Sequence, residues 1–406
     1  MLFDRLLGAT SIPVRTALEA ALAQKELSAR DALTLLGARG TDFHALVGVA
    51  DLARHEDVGD EVSYVVCRNI NFTNICYVGC SFCGFARHKG DADAYDRGLD
   101  DVVARAREAW ERGASEVCIQ GGIHPNKDGF WYRSIVEAIK AELPEMHIHA
   151  FSPEEIDFGH RKSGGMTLRD YLTMLRDAGL GTIPGTAAEI LCDEVRERIS
   201  PRKLRTRRWV EIVTAAHEVG LRSSSTLMYG HVERDEHIAR HLALLRDLQK
   251  ATGGFTEFVP LGFIPHRTRL YRELGSRSGP SAWEDLRILA VARLFLRPWI
   301  RNVQISWVKM GPRLGQMGLM AGANDFGGTL MEESISQAAG SEHGDHIEED
   351  QIWSHILEIG RIPYERTTTY GRRVRPAGRP PVPTSLADLP ARGVPSESVT
   401  QSVASY

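Results

Sequence analysis

Short apolar runs that alternate with longer amphipathic segments are the feature that most constrains how this chain can fold. From about residue 60, eight runs rich in β-branched residues are typical of strands, and the longer segments after them have apolar residues at helical spacing. About eight repeats over ~300 residues favour a (β/α)8-type barrel over an open doubly wound sheet, with a partial barrel of six units as the runner-up. The predicted strands are residues 64–70, 115–120, 146–151, 181–184, 223–228, 255–261, 302–307 and 323–328.

The segments between the predicted strands carry helix start and stop signals. In residues 99–113, Asp100 is predicted to cap the helix and Gly113 to follow its last turn. Further helices are predicted at residues 168–180, 207–221 and 237–249. Strands and helices therefore alternate, as a barrel requires.

Three regions are predicted. Residues 1–60 form a helical extension, in which Ser28 and Asp31 resemble a capping box. Residues 61–371 form the barrel. Residues 372–406 are rich in proline and are predicted to be a mostly disordered tail, or one that lies on the surface.

Composition restricts the partners and the compartment. The 406 residues carry a net charge of -4 and are 43% hydrophobic, so we expect neither nucleic acid nor a membrane as a partner. The N-terminus does not resemble a signal peptide, and no apolar run approaches the ~18 residues of a membrane span. Six cysteines are too few for a disulfide framework, so a cytoplasmic protein with reduced thiols is expected.

Three of those cysteines, Cys76, Cys80 and Cys83, lie within eight residues directly after the first predicted strand. Active-site loops of barrels follow strand ends, and one such loop is able to place three thiolates around a small inorganic core. A [4Fe–4S] cluster normally takes four cysteines, so three leave one iron open for a ligand. The spacing therefore favours an open iron–sulfur cluster.

Other interpretations of these cysteines remain. The loop could bind zinc with His88 as the fourth ligand, form a disulfide with one thiol left over, or bury all three thiols. A zinc-stabilised scaffold is the alternative that involves no catalysis. The isolated Cys67, Cys118 and Cys192 are predicted to be core residues, because free cysteine is among the most buried residue types.

The stretch CYVGCSFC, which has the pattern CxxxCx(aromatic)C, resembles the cluster loop of radical S-adenosylmethionine (SAM) enzymes. The stretches EVCIQGGIHP, HAFSPEEI, IPGTAAEIL, STLMYGH, NVQISWVK and GANDFGGTLMEE resemble the family that makes the deazaflavin chromophore, and especially its tyrosine-using half. The resemblance covers residues 60 to 371. Radical enzymes of the futalosine route to menaquinone share much of it and are the alternative.

This resemblance implies a reaction and its partners. One [4Fe–4S] cluster and SAM would generate a 5′-deoxyadenosyl radical. The hydroxybenzyl group of L-tyrosine would then be joined to 5-amino-6-(D-ribitylamino)uracil, leaving 2-iminoacetate. A second radical SAM subunit would close the ring, and a low-potential donor such as flavodoxin or ferredoxin would supply the electron.

The resemblance also implies site residues. Phe82, Gly121, Gly122 and Glu189 would contact SAM, with Glu189 predicted in the first turn of a helix after the fourth strand. A loop plug, an ordinary tight turn and a helix-stabilising carboxylate are the respective structural alternatives.

Substrate contacts are predicted at His124, Asn324 and Asp325. A solvated histidine and local turn formation are the structural alternatives. The basic run at residues 201–208 is predicted to be a solvated loop and helix start, or a docking site for an acidic electron donor.

One loop departs from the pattern of the family. Residues 260–271 read PLGFIPHRTRLY, where related transferases resemble PLPFIH followed by a later proline. Gly262 and Arg269 stand where prolines are usual, and Pro265 stands where a histidine is usual. A paralogue with another acceptor would also fit, so the second substrate stays open.

Overall fold

The computed structural model describes residues 2–375 and 378–389. Nine strands and seventeen α-helices lie within these ranges. The strands are β1 (Glu61–Val65), β2 (Cys67–Ile70), β3 (Glu116–Ile119), β4 (His147–Ala150), β5 (Thr182–Ile183), β6 (Arg222–Tyr229), β7 (Phe255–Gly262), β8 (Asp325–Gly328) and β9 (Ile362–Glu365). The helices are α1 (Leu2–Gly8), α2 (Ile12–Leu22), α3 (Ala29–Leu36), α4 (Thr41–Val58), α5 (Leu99–Glu111), α6 (Gly129–Glu142), α7 (Pro153–Arg161), α8 (Leu168–Asp177), α9 (Asp193–Ile199), α10 (Thr206–Glu218), α11 (Asp235–Thr252), α12 (Arg269–Arg272), α13 (Ala282–Leu296), α14 (Trp307–Met310), α15 (Pro312–Leu319), α16 (Ser334–Ala339) and α17 (Glu349–Glu358).

The strands form two parallel sheets that continue into one another. Six strands pair in the order β2-β3-β4-β5-β6-β7, and three pair in the order β8-β1-β9. Single parallel bridges, Phe258 with Val303 and Gln304 with Asp325, connect β7 to β8. The circuit from β1 and β2 round to β8 is the barrel that the alternation predicts, and its continuous part has six strands.

The first predicted strand, 64–70, is divided at Val66. Before Val66 in the chain, β1 pairs with β8 and β9. After Val66, β2 pairs with β3. The hydroxyl of Thr329 forms hydrogen bonds with both backbone groups of Cys67. It accepts from the Cys67 N–H at 3.0 Å and donates to the Cys67 carbonyl at 2.9 Å. The strand therefore changes neighbours at this point.

The predicted strand 302–307 is wrong as a continuous strand. Only Val303 and Gln304 make bridges, and the chain turns into α14 at Trp307. The Asn324 side chain accepts the Val303 N–H at 2.9 Å, so a side chain replaces part of the ladder. Strand β9 was not predicted from the sequence.

The helices begin close to their predicted positions, with one difference. Ser28 and Asp31 form the predicted capping box at the start of α3. Asp100 is not the cap of α5: Gly98 is, and Asp100 lies in the first turn, where its charge favours the helix dipole. Gly113 follows the end of α5 with φ 87°, a conformation suited to glycine.

The N-terminal helices and the barrel share one hydrophobic core. Buried residues of α2, α3 and α4 belong to the same cluster as the residues inside the barrel. Over the described residues, no helix is long and apolar enough to cross a bilayer.

Part of the predicted tail is described, and it lies on the barrel surface. Arg375 Nη1 lies 2.5 Å from Glu349 Oε1, and Arg379 also pairs with Glu349. Val382 packs against the core. Residues 376–377 and 390–406, which belong to the predicted disordered tail, lie outside the described residues.

Candidate active site

A cavity of about 250 Å³ opens at the carboxyl ends of the barrel strands. Its wall is formed by residues that end β6 and β7 and by the loops that follow β2, β3, β4 and β5. The lining includes Cys76, Cys80, Phe82, Cys83, Gln120, Gly121, Gly122, Ser152, Glu154, Glu155, Thr186, Glu189, Lys203, Thr226, Met228, Leu261, Gly262, Phe263, Ile264, Lys309 and Ile335. Loops at this end of a parallel barrel are where active sites form.

All three predicted cluster cysteines line this cavity. Main-chain hydrogen bonds fix the loop that carries them. The Cys76 N–H donates to the Arg87 carbonyl at 3.1 Å, and the Ser81 N–H donates to the Ile199 carbonyl at 2.9 Å. The loop is thus attached both to its own return segment and to α9.

The thiols need a positive partner to ionise. Burial raises the pKa of Cys80 and of Cys83, and charge on the neighbouring cysteines raises both pKa values further. Iron lowers thiol pKa by binding the thiolate, so a cluster would supply the charge that the thiolates lack. The donor set therefore fits a three-cysteine [4Fe–4S] cluster.

The zinc alternative required His88 as the fourth ligand. His88 is exposed and is not part of the cavity wall.

Gly121 and Gly122, two of the predicted SAM contacts, follow β3 and line the cavity. A Cβ on Gly121 would lie 2.6 Å from the Phe72 ring, and one on Gly122 would lie 2.3 Å from the Ile75 carbonyl oxygen. The backbone packs so closely against the cysteine loop that only glycine fits at these two positions.

Glu189 lines the cavity, but it does not begin a helix. It lies with φ 43° in the loop before α9. The Lys203 ammonium lies 2.6 Å from Glu189 Oε1, and the Arg196 guanidinium lies 3.4 Å from Oε2. The loop conformation turns this buried carboxylate toward two cations instead of toward a helix dipole.

Lys203 contradicts the prediction that residues 201–208 are a solvated loop. Its side chain is largely buried in the cavity wall, and its ammonium also lies 5.5 Å from the centre of the Phe82 ring. Despite burial, the carboxylate of Glu189 raises the pKa of Lys203. Two predicted SAM contacts, Glu189 and Phe82, therefore share the Lys203 ammonium.

Two glutamates of the stretch HAFSPEEI line the cavity and were given no role from the sequence. Burial raises the pKa of Glu155 to about 7, although its carboxylate accepts hydrogen bonds from Ser152 and from the Gly121 N–H at 3.0 Å. Burial also raises the pKa of Glu154, which accepts the Leu204 N–H at 2.9 Å. They join the glycine turn and the lysine segment to α7.

Lys309 was also missed. It lies in the short helix α14, lines the cysteine cavity, and is partly buried. Burial lowers its pKa, against the opposing effect of Glu333. A second cavity of about 180 Å³ shares Lys309 and residues 262–264 with the first and has the exposed His266 and His343 at its edge. This second cavity is called the outer chamber below.

The three predicted substrate contacts do not line either cavity. His124 is buried beside Asp96, and its Nδ1 accepts the Asn126 N–H at 3.1 Å. Asn324 and Asp325 lie at the amino end of β8, the opposite end of the barrel from the cavity. The resemblance suggested the contacts, but the direction of the strand places these two side chains elsewhere.

Both side chains of the β8 start have structural partners. Asn324 accepts from Arg293 at 2.6 Å, and Asp325 accepts from the Ser63 hydroxyl and from Arg366, each at 2.5 Å. These bonds stabilise the end of the barrel opposite the cavity, at the amino ends of its strands.

The isolated cysteines are free thiols away from the cavity. Cys67 and Cys192 are buried, and Cys118 is partly buried within β3. None of them lines the cysteine cavity.

Comparison with protein families agrees with this site. Residues 70–245 match the model of the radical SAM superfamily, and residues 252–378 match the model of the CofH/MqnC C-terminal region. Among solved structures, the FeFe-hydrogenase maturase HydG from Carboxydothermus hydrogenoformans is 17% identical, with a TM-score of 0.71 over 91% of this chain and 83% of that one. Methylornithine synthase (PylB) is 18% identical, with a TM-score of 0.67 over 86% and 97%. These two structures show the shared fold.

Curated relatives are closer in sequence. FO synthase of Mycobacterium tuberculosis (strain ATCC 25618 / H37Rv) is 54% identical over 338 residues, which are 83% of this chain and 39% of that protein. The chain thus spans about two fifths of the length of FO synthase. The 5-amino-6-(D-ribitylamino)uracil–L-tyrosine 4-hydroxyphenyl transferase of Methanothermobacter thermautotrophicus is 45% identical over 344 residues, 85% of this chain and 94% of that protein.

The chain therefore belongs to the radical SAM enzymes and, within them, to the family that carries the CofH/MqnC C-terminal region and contains the Methanothermobacter transferase. Enzymes of this superfamily use a [4Fe–4S] cluster held by three cysteines, together with SAM.

Proposed function

We propose that this protein joins the 4-hydroxybenzyl group of L-tyrosine to 5-amino-6-(D-ribitylamino)uracil. The observation that carries the proposal is the alignment with the Methanothermobacter transferase, which covers 94% of that enzyme at 45% identity. The cavity at the carboxyl ends of the strands supports it, because the three thiols, a glycine turn and a buried ion pair meet there. The released products would be 2-iminoacetate, methionine and 5′-deoxyadenosine.

Cys76, Cys80 and Cys83 would hold the cluster through their thiolates and leave one iron open. A cluster held by these thiolates would supply the one-electron reduction that divides SAM into methionine and a 5′-deoxyadenosyl radical. The loop contributes positioning, since its main-chain hydrogen bonds to Arg87 and Ile199 fix the thiols before the metal binds.

Phe82, Gly121, Gly122 and Glu189 would form the contacts to SAM. The glycine pair lets the β3 turn pack directly against the Phe72 ring and the Ile75 carbonyl, and this packing holds the turn in the cavity wall, where its backbone can contact a ligand. The Glu189 carboxylate is held in place by Lys203, so it can accept from a ligand hydroxyl or ammonium without moving.

Apolar side chains would protect the reaction from water. Met228, Leu261, Phe263, Ile264 and Ile335 line the cavity together with the polar groups. Reactive radical intermediates require such a wall, because open solvent would quench them.

A second subunit is part of the proposal. FO synthase is much longer than the region aligned with this chain. We propose that a separate radical SAM subunit closes the deazaflavin ring on the coupled product.

A low-potential donor such as flavodoxin or ferredoxin would dock beside the cysteine loop. Arg202 donates to the Val78 carbonyl of that loop at 2.9 Å, and Arg205 and Arg207 are exposed on the same segment. A basic surface next to the cluster loop suits an acidic electron carrier.

The futalosine route to menaquinone is the second candidate. Residues 260–271, which depart from the family pattern, support this second candidate. Two of them, Gly262 and Ile264, line both the cysteine cavity and the outer chamber. A change of acceptor would alter this wall first.

One anaerobic assay separates the candidates. The reconstituted protein is given L-tyrosine, 5-amino-6-(D-ribitylamino)uracil, SAM and dithionite, and the products are identified by mass spectrometry. The proposal predicts a coupled product that contains the tyrosine-derived hydroxybenzyl group, in step with 5′-deoxyadenosine. Deoxyadenosine without the coupled product would refute the substrate assignment.

A further inference from the structure

Two lysines line the cysteine cavity, and their surroundings differ. Lys203 lies 2.6 Å from a carboxylate oxygen of Glu189. Within the described ranges, the Lys309 ammonium has no hydrogen-bond acceptor and no ion-pair partner. Only the Lys309 backbone N–H is bonded, to the Ser306 carbonyl at 2.9 Å.

Glu333 is the carboxylate with the largest effect on the pKa of Lys309, but it is hydrogen-bonded to another group. Glu333 caps α16, where its Oε2 accepts the Ser336 N–H at 2.8 Å, and it lies beyond ion-pair distance from Lys309. A partly buried ammonium that lines a cavity and has no protein partner is available to bind a ligand of opposite charge there. The position of Lys309 therefore favours an anionic ligand group.

Lys309 also lies between the cysteine cavity and the outer chamber. It lines the cysteine cavity, the outer chamber and a small third cavity behind Tyr229 and Leu289. None of the three cluster cysteines lines the outer chamber. A group bound to Lys309 is thus placed on the side of the cysteine cavity that adjoins the outer chamber, next to the apolar Phe263 and Ile264.

We infer that Lys309 binds the α-carboxylate of the amino acid substrate, an inference that rests on the proposed function. Tyrosine carries one carboxylate and an aromatic ring, whereas the ribitylaminouracil has no carboxylate. The ammonium would hold the carboxylate at the boundary, and the ring would pack on the apolar wall of the cysteine cavity. SAM also carries a carboxylate, so the experiment has to distinguish the two sources.

Equilibrium dialysis makes that distinction. Labelled L-tyrosine and labelled SAM are dialysed separately against the anaerobic, cluster-loaded protein, as wild type, Lys309→Gln, Lys309→Arg and Lys250→Gln. Lys250 is the matched control, because its ammonium pairs with Glu26 on the surface. Lys309→Gln is expected to weaken tyrosine binding by about tenfold to a hundredfold, the value of one charge-assisted hydrogen bond.

The remaining variants and ligands in the dialysis experiment also have expected results. SAM binding should change less than about twofold, Lys309→Arg should restore part of the tyrosine affinity, and Lys250→Gln should match wild type. Tyramine, which lacks the carboxylate, should bind wild type and Lys309→Gln equally weakly. Unchanged tyrosine affinity in Lys309→Gln, or an equal loss of SAM affinity, would overturn the inference.

A parallel coupling assay separates this inference from the proposed function. Wild type that binds tyrosine but makes no coupled product would refute the proposed function, while the dialysis would still test Lys309. Wild type that makes the product while Lys309→Gln keeps full tyrosine affinity would refute only the role of Lys309. Wild type that does not bind tyrosine would refute both.

Discussion

Replacing Lys203 by methionine tests whether the cavity wall depends on its buried ion pair. The substitution keeps an unbranched side chain of similar length but removes the charge 2.6 Å from Glu189. Taking one partner from a buried pair costs about 3–5 kcal/mol, because the other charge is left uncompensated. Arg196 remains 3.4 Å from the second oxygen of Glu189, so we expect the lower end, about 3 kcal/mol.

The chain contains a matched control for this substitution. Lys250 and Glu26 are also 2.6 Å apart, but their side chains are 30% and 42% exposed, against 13% and 7% for Lys203 and Glu189. Lys250→Met should therefore cost about 0–1 kcal/mol, the usual range for a surface pair.

The assay is urea unfolding of the metal-free protein, followed by circular dichroism under reducing conditions. Adding Glu189→Gln to Lys203→Met should recover part of the lost stability, because the uncompensated charge is then removed. Equal losses for Lys203→Met and Lys250→Met would refute the reasoning, as would a double variant that is no more stable than Lys203→Met.

Two further predictions concern the glycine turn and the interior of the barrel. Gly122→Ala should reduce both iron uptake and SAM binding, because its Cβ would lie 2.3 Å from the Ile75 carbonyl oxygen. Gly90→Ala, where nothing lies within 4 Å, should bind iron and SAM like wild type, and equal behaviour of the two variants would contradict the role of the close approach. Burial raises the pKa of Glu257 from 4.5 to about 7, so the folded chain holds this proton more tightly and loses stability as pH rises through that window. Glu257→Gln should abolish about 3 kcal/mol of this loss between about pH 4.5 and pH 7.5 in urea unfolding, and an unchanged pH dependence would contradict it.

The cluster loop could be predicted from the sequence because its ligands are contiguous. Cys76, Cys80 and Cys83 lie on one loop after one strand, so spacing alone brings the thiols together. The glycine pair after β3 was placed correctly for a similar reason: parallel strands put their carboxyl ends at the same side of a barrel.

The charged residues of the cavity could not be predicted in the same way. Lys203 belongs to a basic run that is typical of a solvated loop, and only the return of the chain toward Glu189 buries it. Lys309 follows a predicted strand, but whether its ammonium finds a partner depends on residues far away in the sequence. Such pairings are set by tertiary structure, which local periodicity does not encode.

Two features of the structure depend on strand direction and on distant side chains, which motifs do not give. Asn324 and Asp325 lie in a glycine-rich stretch that resembles a substrate loop, yet they begin β8 and face partners at the closed end of the barrel. The break between β1 and β2 was missed because it is made by the Thr329 side chain, more than 250 residues later in the sequence.

The most direct test of the account is the metal content of protein purified and reconstituted without oxygen. The account predicts about four iron atoms and four sulfides per chain. It also predicts an electron paramagnetic resonance signal of the dithionite-reduced protein that changes when SAM is added. Cys83→Ala should lose the signal and the turnover, and Cys192→Ala should keep both. Protein that contains zinc but no iron, or a Cys83→Ala variant with full turnover, would contradict the account.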